Sequence, residues 1–372
     1  MKVLGRLNDP KLSRQMLHRV RDTAARVTER LGRPVLLMEV CGTHTTLFSR
    51  TGLRGLLADL VELRSGPGCP VCVTSAADIE ALMALARLPG VILTSFGDMV
   101  RVPGTTGSME SARARGADVR IVYSPADAVD LARANPGREI VFAGVGFETT
   151  APMVAAAILQ ARGQRLNNFS VYSLHKLVPP VMRVLLECGD VPVDGFILPG
   201  HVCTVTGGRA FDFIGDEYAV PAVVTGFTLV DVLDALDTLL NQLLIGSAGV
   251  ANSYRWVVRD EGNQRAREIM QTCFYPVVVS WRGLGNIPAS GLAIREDFAR
   301  FDAGQRFPVA VPPAKEPPGC RCGDLLRGRI TPPECKLFNR KCTPLTAVGP
   351  CMVSTEGACA AYRGFGTSQP GR

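Results

Sequence analysis

The stretch 139–174, EIVFAGVGFETTAPMVAAAILQARGQRLNNFSVYSL, decides the fold class of this chain. It predicts a buried strand over 139–144, a helix from Thr150 to about Arg162, and a second strand over 170–174. The same alternation is expected elsewhere, with strands at 34–40, 59–64, 90–95, 118–123 and 195–198, and helices at 10–31, 76–88, after Pro125 and within 226–245. Strands that alternate with helices are typical of parallel sheets covered on both faces, so we predict an α/β fold.

The chain has 372 residues, which is too many for one hydrophobic core of ordinary size. Residues 1–118 and 119–225 are each expected to form a parallel-sheet α/β domain, and the two domains are expected to face a shared cleft. Residues 226–372 are expected to contain helices, the last of them from about Ser253 to Thr272, and then a loop-rich region. Beyond Pro308 the sequence is rich in Pro, Gly and Cys, so something other than an apolar core must order it.

Charge and hydropathy argue against several classes of protein. The net charge of +7 comes from 41 basic and 34 acidic residues that are interleaved along the chain, which argues against nucleic-acid binding. The sequence has no apolar run long enough to span a membrane, and its opening MKVLGRLNDP lacks the apolar core of a secretory signal. We therefore expect a cytoplasmic protein that does not act at a membrane and whose thiols are kept reduced.

Twelve cysteines are many for a protein with reduced thiols. Half of them are concentrated near the end of the chain, at Cys320, Cys322, Cys335, Cys342, Cys351 and Cys359. This segment has few large apolar side chains, and thiolates around a metal would supply the folding energy that it lacks. Zinc sites usually use closely spaced cysteine pairs, whereas the last four of these cysteines are 7, 9 and 8 positions apart. The spacing favours a loosely wrapped iron–sulfur cluster, with zinc or metal-free thiols as alternatives.

Cys41 lies in the run MEVCGTHT, where a predicted strand ends and a helix begins. Unpaired backbone N–H groups and the helix dipole at such a position favour a thiolate. His44 follows three positions later and could donate a proton or form a hydrogen bond with a ligand. The alternative for Cys41 is a small buried residue at the end of a strand.

Cys69 and Cys72 form a C-x-x-C motif within GPGCPVC, between a predicted strand and a predicted helix. In a redox dithiol at this position one thiolate attacks and its neighbour resolves the intermediate. The alternative is half of a zinc site. Zinc would require a second cysteine pair, and the other cysteines of the α/β part, Cys203 among them, are scattered.

Three further strand-end loops carry candidate site residues. Asp98, in SFGDMVRVPG, is a candidate proton acceptor or a helix cap. Glu148, in GVGFETT, lies in a turn that resembles a phosphate cradle, but the turn lacks a third glycine and Glu148 would repel phosphate. His201, in PGHVC, closes a third strand and is a candidate residue of the cleft, with a helix cap or a buried histidine as the simpler alternatives. Because the carboxyl ends of parallel strands share an edge, the loops of Cys41, the dithiol and His201 are expected to converge on one cleft.

Six motifs distributed over nearly the whole chain resemble those of one protein family. They are CGTHT (41–45), GPGCPVC (66–72), SFGDMVRVPG (95–104), GFETTAP (146–152), PGHV (199–202) and GPCMVSTEGAC (349–359). Together they form a specific set, and the chain resembles the HypD family of hydrogenase maturation proteins.

The resemblance implies a scaffold on which the Fe(CN)2(CO) group of [NiFe]-hydrogenase is assembled, in complex with a small HypC-type chaperone. A HypE-type protein would deliver cyanide to that complex. The resemblance also implies that Cys41 is an iron ligand and that Cys69 and Cys72 are a working dithiol. A [4Fe–4S] cluster is implied in the C-terminal segment, and we assign it to the four cysteines of the best-matching stretch, Cys335, Cys342, Cys351 and Cys359.

Several roles stay open at this stage. His44 and Asp98 are candidates for proton handling or for hydrogen bonds to the diatomic ligands. Cys320 or Cys322 could replace one of the four assigned cluster ligands. The resemblance implies a redox-active assembly scaffold rather than a conventional turnover enzyme. The other candidate functions are a self-sufficient thiol–disulfide oxidoreductase with a structural metal in its tail, and a zinc-binding interaction platform.

Overall fold

The computed structural model describes residues 9–365. The predicted outer boundaries at residues 1 and 372, and most of the opening segment that was considered as a secretory signal, lie outside these residues. Two parallel sheets, each flanked by helices, and a loop-rich C-terminal region make up the fold, so the predicted α/β class is confirmed.

The first lobe is built from two separate parts of the chain. Its first part contains α1 (Pro10–Leu31), β1 (Val35–Glu39), α2 (Gly42–Arg50), α3 (Leu53–Leu57), β2 (Val61–Ser65) and α4 (Pro70–Val73). The second lobe follows with α5 (Ala76–Ala86), β3 (Val91–Ser95), α6 (Gly97–Val100), α7 (Met109–Ala114), β4 (Val119–Ile121), α8 (Pro125–Ala134), β5 (Glu139–Gly146), α9 (Ala151–Gly163), β6 (Phe169–His175) and α10 (Val178–Cys188). The chain then returns to the first lobe with β7 (Gly195–Pro199), α11 (Gly200–Thr206), α12 (Phe213–Asp216), β8 (Ala222–Thr225), α13 (Leu229–Ile245) and β9 (Val250–Asn252).

The C-terminal part begins with a helix and an antiparallel hairpin and continues with short helices. Its elements are α14 (Gln264–Cys273), β10 (Phe274–Trp281), β11 (Gly285–Ile294), α15 (Ala303–Arg306), α16 (Cys322–Leu326), α17 (Pro350–Val353) and α18 (Ala358–Gly364). The helix expected from Ser253 starts only at Gln264, because Asn263 caps it by accepting a hydrogen bond from the N–H of Ala266. The hairpin itself is absent from the sequence prediction.

The first sheet has the strand order β2-β1-β7-β8-β9, with every neighbouring pair parallel. All five residues of β1 are buried, as expected for a strand with helices on both faces. The long helices α1 and α13 pack on each other, and their apolar residues share a core with β1, β7 and β8. The carboxyl ends of these strands therefore point toward one edge of a well-buried sheet.

The second sheet has the order β4-β3-β5-β6 and is also parallel. Its central strand β5 is the one with which the sequence argument began, and it pairs with both β3 and β6. Apolar side chains of the β10–β11 hairpin, such as Phe274 and Leu292, share a core with helices α8 and α9. The hairpin thus belongs to the second lobe although it follows the whole first lobe in sequence.

The division of strands between the sheets differs from the predicted domain boundaries at 118 and 225. Strand β3, placed in residues 1–118, lies in the second sheet, while β7 and β8, placed in 119–225, lie in the first. Hydrophobic periodicity indicates that a segment is a strand, but the sheet that it joins depends on long-range pairing. Among the residues described, no helix is long and apolar enough to cross a lipid bilayer.

Candidate metal and dithiol site

The two sheets each have a point where the strand order reverses. In the first sheet this point lies between β1 and β7, which lead directly to Cys41 and His201. In the second sheet it lies between β3 and β5, and Asp98 and Glu148 follow these strands. Ligands of open α/β sheets bind outside the carboxyl ends of strands at such points. Four residues selected from the sequence therefore lie at the two positions where this fold places its sites.

Cys41 is in backbone contact with the dithiol loop, which we define as residues 66–74. The N–H of Gly42 donates a hydrogen bond to the carbonyl of Gly68 at 3.1 Å. A Cβ atom on Gly68 would overlap the backbone of Cys41, so only glycine permits this approach. The predicted convergence of these two loops is confirmed.

Burial controls the protonation of the Cys41 thiol. It raises the pKa of Cys41 to about 12, and the nearby carboxylate of Glu356 acts in the same direction. The backbone N–H groups of His44 and Thr43 lower the pKa, as the helix N-terminus predicts, but they do not outweigh burial. The expected thiolate is thus disfavoured in the protein alone, and a bound cation at sulfur would be needed to hold it.

His44 is fully buried, and its Nε2 lies 2.9 Å from the carbonyl oxygen of Gly226. A carbonyl can only accept, so Nε2 carries the proton and Nδ1 is an acceptor. Burial lowers the pKa of His44 to about 4, which leaves the ring neutral at physiological pH. Phe227 stacks on His44 at 4.7 Å between centroids and on His201 at 3.7 Å. His44 and His201 are therefore linked through one aromatic ring beside Cys41.

Cys69 and Cys72 are joined by a disulfide, with their Cα atoms 5.2 Å apart. Both are almost completely buried at the start of α4, where the N–H of Cys72 also donates a hydrogen bond to the Cys69 sulfur at 3.2 Å. The pair occupies the strand-to-helix position that the sequence predicts for a redox dithiol. Among the described residues 9–365, no three His, Cys, Asp or Glu side chains are arranged to hold a single metal ion.

The C-terminal cysteines, which lie within a segment of 40 residues, meet around one small cavity, which we call the cysteine pocket. Its walls include Cys320, Cys322, Cys335, Cys342 and Cys359, and the sixth thiol, that of Cys351, lies beside Cys322. The backbone N–H of Val348 donates to the Cys342 sulfur at 3.3 Å. An added Cβ on Gly349 would lie 2.5 Å from the Cys320 sulfur, so the backbone wraps closely around these thiols.

The donor set of the cysteine pocket fits an iron–sulfur cluster. Soft thiolates are the ligands that such clusters use, and a cluster distributes them over several irons rather than around one ion. Burial and the neighbouring thiols, Cys322 first among them, raise the pKa of Cys359. Thiolates crowded in this way require a compensating cation, which a metal centre provides.

Cys351 connects the cysteine pocket to the dithiol. It lines a second cavity together with Cys69, Cys72 and Glu356. Cys351 lies on α17 and Cys72 on α4, and these two short helices pack against each other. The disulfide and the candidate cluster ligands therefore share a wall of the same interior space.

Asp98 and Glu356 tie the C-terminal segment to both lobes. The Asp98 carboxylate accepts a hydrogen bond from the N–H of Thr355 at 3.0 Å, and the Thr43 hydroxyl donates to Glu356 at 2.9 Å. Asp98 also pairs with Arg101 at 3.1 Å. The carboxylate of Asp98 is thus engaged in holding the loop that leads to the cysteine pocket.

Sequence reasoning missed several buried groups near the site. Glu39 accepts a hydrogen bond from the N–H of Cys41 at 3.0 Å, and burial raises the pKa of Glu39 to about 7. Its signal was a single carboxylate in the otherwise apolar strand PVLLMEV. Cys203 is also buried, and burial together with the charges of Glu148 and Cys41 raises the pKa of Cys203. It follows His201 by two positions, within a motif already singled out.

Glu148 places a carboxyl of the second lobe near Cys203. One of its oxygens accepts a hydrogen bond from the N–H of Val178 at 2.9 Å, while the other is buried without a partner. Burial raises the pKa of Glu148 to about 7. Glu148 is therefore a buried carboxyl whose charge changes near neutral pH.

Fold and site together define a two-lobed α/β protein with a buried thiol at one switch point, an adjacent cysteine pair and a cysteine-lined pocket. Comparison with known families agrees: the model of the HypD family, described as "Hydrogenase formation hypA family", matches residues 11–366. The chain belongs to the HypD family of hydrogenase maturation factors.

Relatives with this description are similar over almost their full length. The chain is 43% identical over 371 residues to hydrogenase maturation factor HypD of Rhodobacter capsulatus, which covers 98% of each chain. It is 42% identical over 363 residues to the HypD of Escherichia coli K12, with 97% of each covered. The HypD of Azotobacter vinelandii is 43% identical over 373 residues, covering 98% of this chain and 97% of the relative.

Proposed function

We propose that this maturation factor is the scaffold on which the Fe(CN)2(CO) group of [NiFe]-hydrogenase is assembled, together with a HypC-type chaperone and a HypE-type cyanide donor. The observation that carries this proposal is the shared interior space of Cys351, Cys69 and Cys72. It supports a function in which a metal centre, a dithiol and a cargo site at Cys41 act together.

Cys41 would bind the cargo iron through its sulfur, and the partner chaperone would contribute a second thiolate. The raised pKa of Cys41 supports this role, since iron can displace the thiol proton where the protein alone cannot. His44 offers its unpartnered Nδ1 as a hydrogen-bond acceptor in the same buried region. His44 and Glu39 would orient the Cys41 loop rather than bind iron, because each is already bound to a backbone group.

The dithiol would provide the electrons that cyanide release consumes. One Cys69 or Cys72 thiolate attacks the sulfur of a protein thiocyanate, and the S–C bond breaks to release cyanide. The second thiol then displaces the donor thiolate and closes the disulfide. In total, two thiols and one thiocyanate give one disulfide, one thiol and one hydrogen cyanide. Regenerating the dithiol takes two electrons and two protons.

When it is bound, a [4Fe–4S] cluster would supply those electrons one at a time from an external one-electron donor. The cysteines assigned to hold it are Cys335, Cys342, Cys351 and Cys359. Among these, Cys351 lies next to the dithiol, so its side chain would mark the shortest route between the two redox groups. Hydrogen bonds such as Val348 N–H to the Cys342 sulfur would stabilise charge on the ligating thiolates.

The test is to reduce the anaerobically purified protein with a one-electron reductant and to titrate Cys69 and Cys72 with a thiol reagent. Wild-type protein is expected to be brown and to gain two reactive thiols, whereas Cys359→Ala, which lacks the cluster, is expected to gain none. Thiols that appear equally in both proteins would contradict the proposal and favour the self-sufficient oxidoreductase. A colourless wild-type protein that contains zinc would favour the interaction platform.

A further inference from the structure

Arg282 is a buried cation at the turn between β10 and β11. It is only 2% exposed. Its backbone N–H donates a hydrogen bond to the carbonyl of Val73 at 2.9 Å, and its Nε donates to the carbonyl of Thr74 at 2.9 Å. These are the two residues that follow Cys72, so Arg282 is fixed to the end of the dithiol loop.

The same side chain faces the cysteine pocket. Arg282 lines a surface cavity together with Cys320 and Cys322, and the backbone of its neighbour Gly283 lies directly against Gly323. Arg282 therefore lies between the dithiol loop and the wall of the cysteine pocket that Cys320 and Cys322 form.

The hydrogen bonds of the guanidinium are incomplete. One terminal nitrogen is paired with Glu316, whose side chain is 50% exposed, while the other is buried and has no partner. A buried guanidinium with a free N–H is unfavourable unless an anion lies nearby. A bound cluster with its thiolate ligands would supply such a negative charge. This charge increases when the cluster accepts an electron.

We propose that Arg282 stabilises the reduced state of the cluster held by the cysteine pocket and so sets its reduction potential. This inference rests on the proposed [4Fe–4S] site. Arg282 is a positioning residue in this scheme, because it acts on the thiolates and on the dithiol loop rather than on the cargo iron. A cation next to a redox centre favours the more negative state, and burial reduces the screening of that attraction.

The experiment is a reductive titration of the purified cluster-containing protein, followed by electron paramagnetic resonance. Arg282→Gln is expected to shift the midpoint potential to more negative values. Arg282→Lys, which keeps the positive charge, is expected to restore most of the wild-type potential. Glu316→Gln is expected to shift it to more positive values, because the carboxylate that offsets the guanidinium is removed. Arg133→Gln is the matched control, since that arginine is exposed, paired with Asp130 and located on α8 of the second lobe; its shift is expected to be the smallest.

The outcomes separate this inference from the function on which it rests. Opposite shifts in Arg282→Gln and Glu316→Gln, with a full iron and sulfide content in both, support it. Wild-type potentials in both variants overturn it and leave the cluster assignment intact. If Arg282→Gln fails to fold, the shift in Glu316→Gln decides alone. That substitution replaces a half-exposed side chain and should leave the fold intact. A wild-type protein without iron and sulfide contradicts the cluster itself.

Discussion

The carboxylate of Asp98 accepts a hydrogen bond from the backbone N–H of Thr355 at 3.0 Å, across 257 positions of sequence. Asp98 follows β3 of the second lobe, whereas Thr355 belongs to the loop between α17 and α18. The next residue, Glu356, accepts a hydrogen bond from Thr43 of the first lobe. The segment that carries the cysteine pocket is thereby held by both lobes at once.

Loss of the Asp98 carboxylate should loosen this segment. Asp98→Ala leaves the Thr355 N–H without its acceptor, and a lost charge-assisted hydrogen bond is worth about 2 kcal/mol. We expect faster amide hydrogen exchange over residues 354–359, with Asp98→Asn intermediate because an amide oxygen still accepts. Asp130→Ala, which removes an exposed pair with Arg133, is the control. Equal exchange in Asp98→Ala and wild type would show that the contact does not order the loop.

A methyl group at position 68 should separate the dithiol loop from Cys41. The Cβ of Gly68→Ala would overlap the backbone of Cys41, so one of the two loops must move. Overpacking of this kind costs about 1–3 kcal/mol of unfolding free energy, measurable by chemical denaturation. Gly163→Ala, whose new methyl meets nothing within 4 Å, is the matched control. A Gly68→Ala protein as stable as its control would refute the close contact.

Single replacements in the cysteine pocket should separate ligands from bystanders. Iron and sulfide are expected to be lost in Cys→Ala variants at the assigned positions 335, 342, 351 and 359, measured after purification without oxygen. Cys320→Ala is expected to keep both, because Cys320 is the most exposed thiol of the six. Full iron and sulfide in Cys335→Ala would overturn our assignment and favour Cys320 or Cys322 as the fourth ligand.

Glu148 should make the protein less stable as pH rises toward neutrality. Its folded-state pKa of about 7 exceeds the ordinary 4.5, so the folded protein holds the proton more tightly than the unfolded chain. Stability is therefore lost as pH rises from 4.5 to about 7, by up to about 3 kcal/mol. Glu148→Gln removes this loss, so its stability relative to wild type should increase over that interval in denaturation at several pH values.

Burial lowers the pKa of His44 and His175, so these two groups make the protein more stable as pH rises. The quantity to compare at each pH is therefore the difference in unfolding free energy between variant and wild type. Glu110→Gln, on the exposed side of α7, is the control and should show a constant difference. A constant difference for Glu148→Gln as well would mean that its carboxyl is solvated.

Local pattern was enough to predict most elements but not how they assemble. The segment 139–174 gives β5, α9 and β6 within a few residues because strand and helix periods are local properties. The place of β7 in the first sheet depends on its pairing with β1 across more than 100 positions, and β3 pairs with β5 across about 50, separations that no local window contains. The β10–β11 hairpin was missed because its strands alternate irregularly between buried and exposed residues.

The candidate site, like the fold, could be predicted from the sequence only in part. Cysteine number and crowding predicted one centre for the tail thiols, which stays a prediction; five of the six tail cysteines line one cavity. Arg282 gave no signal, because a single arginine among 41 basic residues becomes informative only when its burial is known. The sequence singled out Asp98 as a candidate site residue, but the hydrogen bond that Asp98 accepts from Thr355 depends on tertiary structure.

Infrared spectroscopy of the anaerobically purified protein, isolated together with the proposed small chaperone, tests the central claim most directly. Metal-bound cyanide and carbon monoxide absorb where proteins do not. We predict such bands in the wild-type complex and their loss in Cys41→Ala, with the [4Fe–4S] content unchanged. Bands that persist in Cys41→Ala would contradict the assignment of Cys41 as the ligand of the cargo iron.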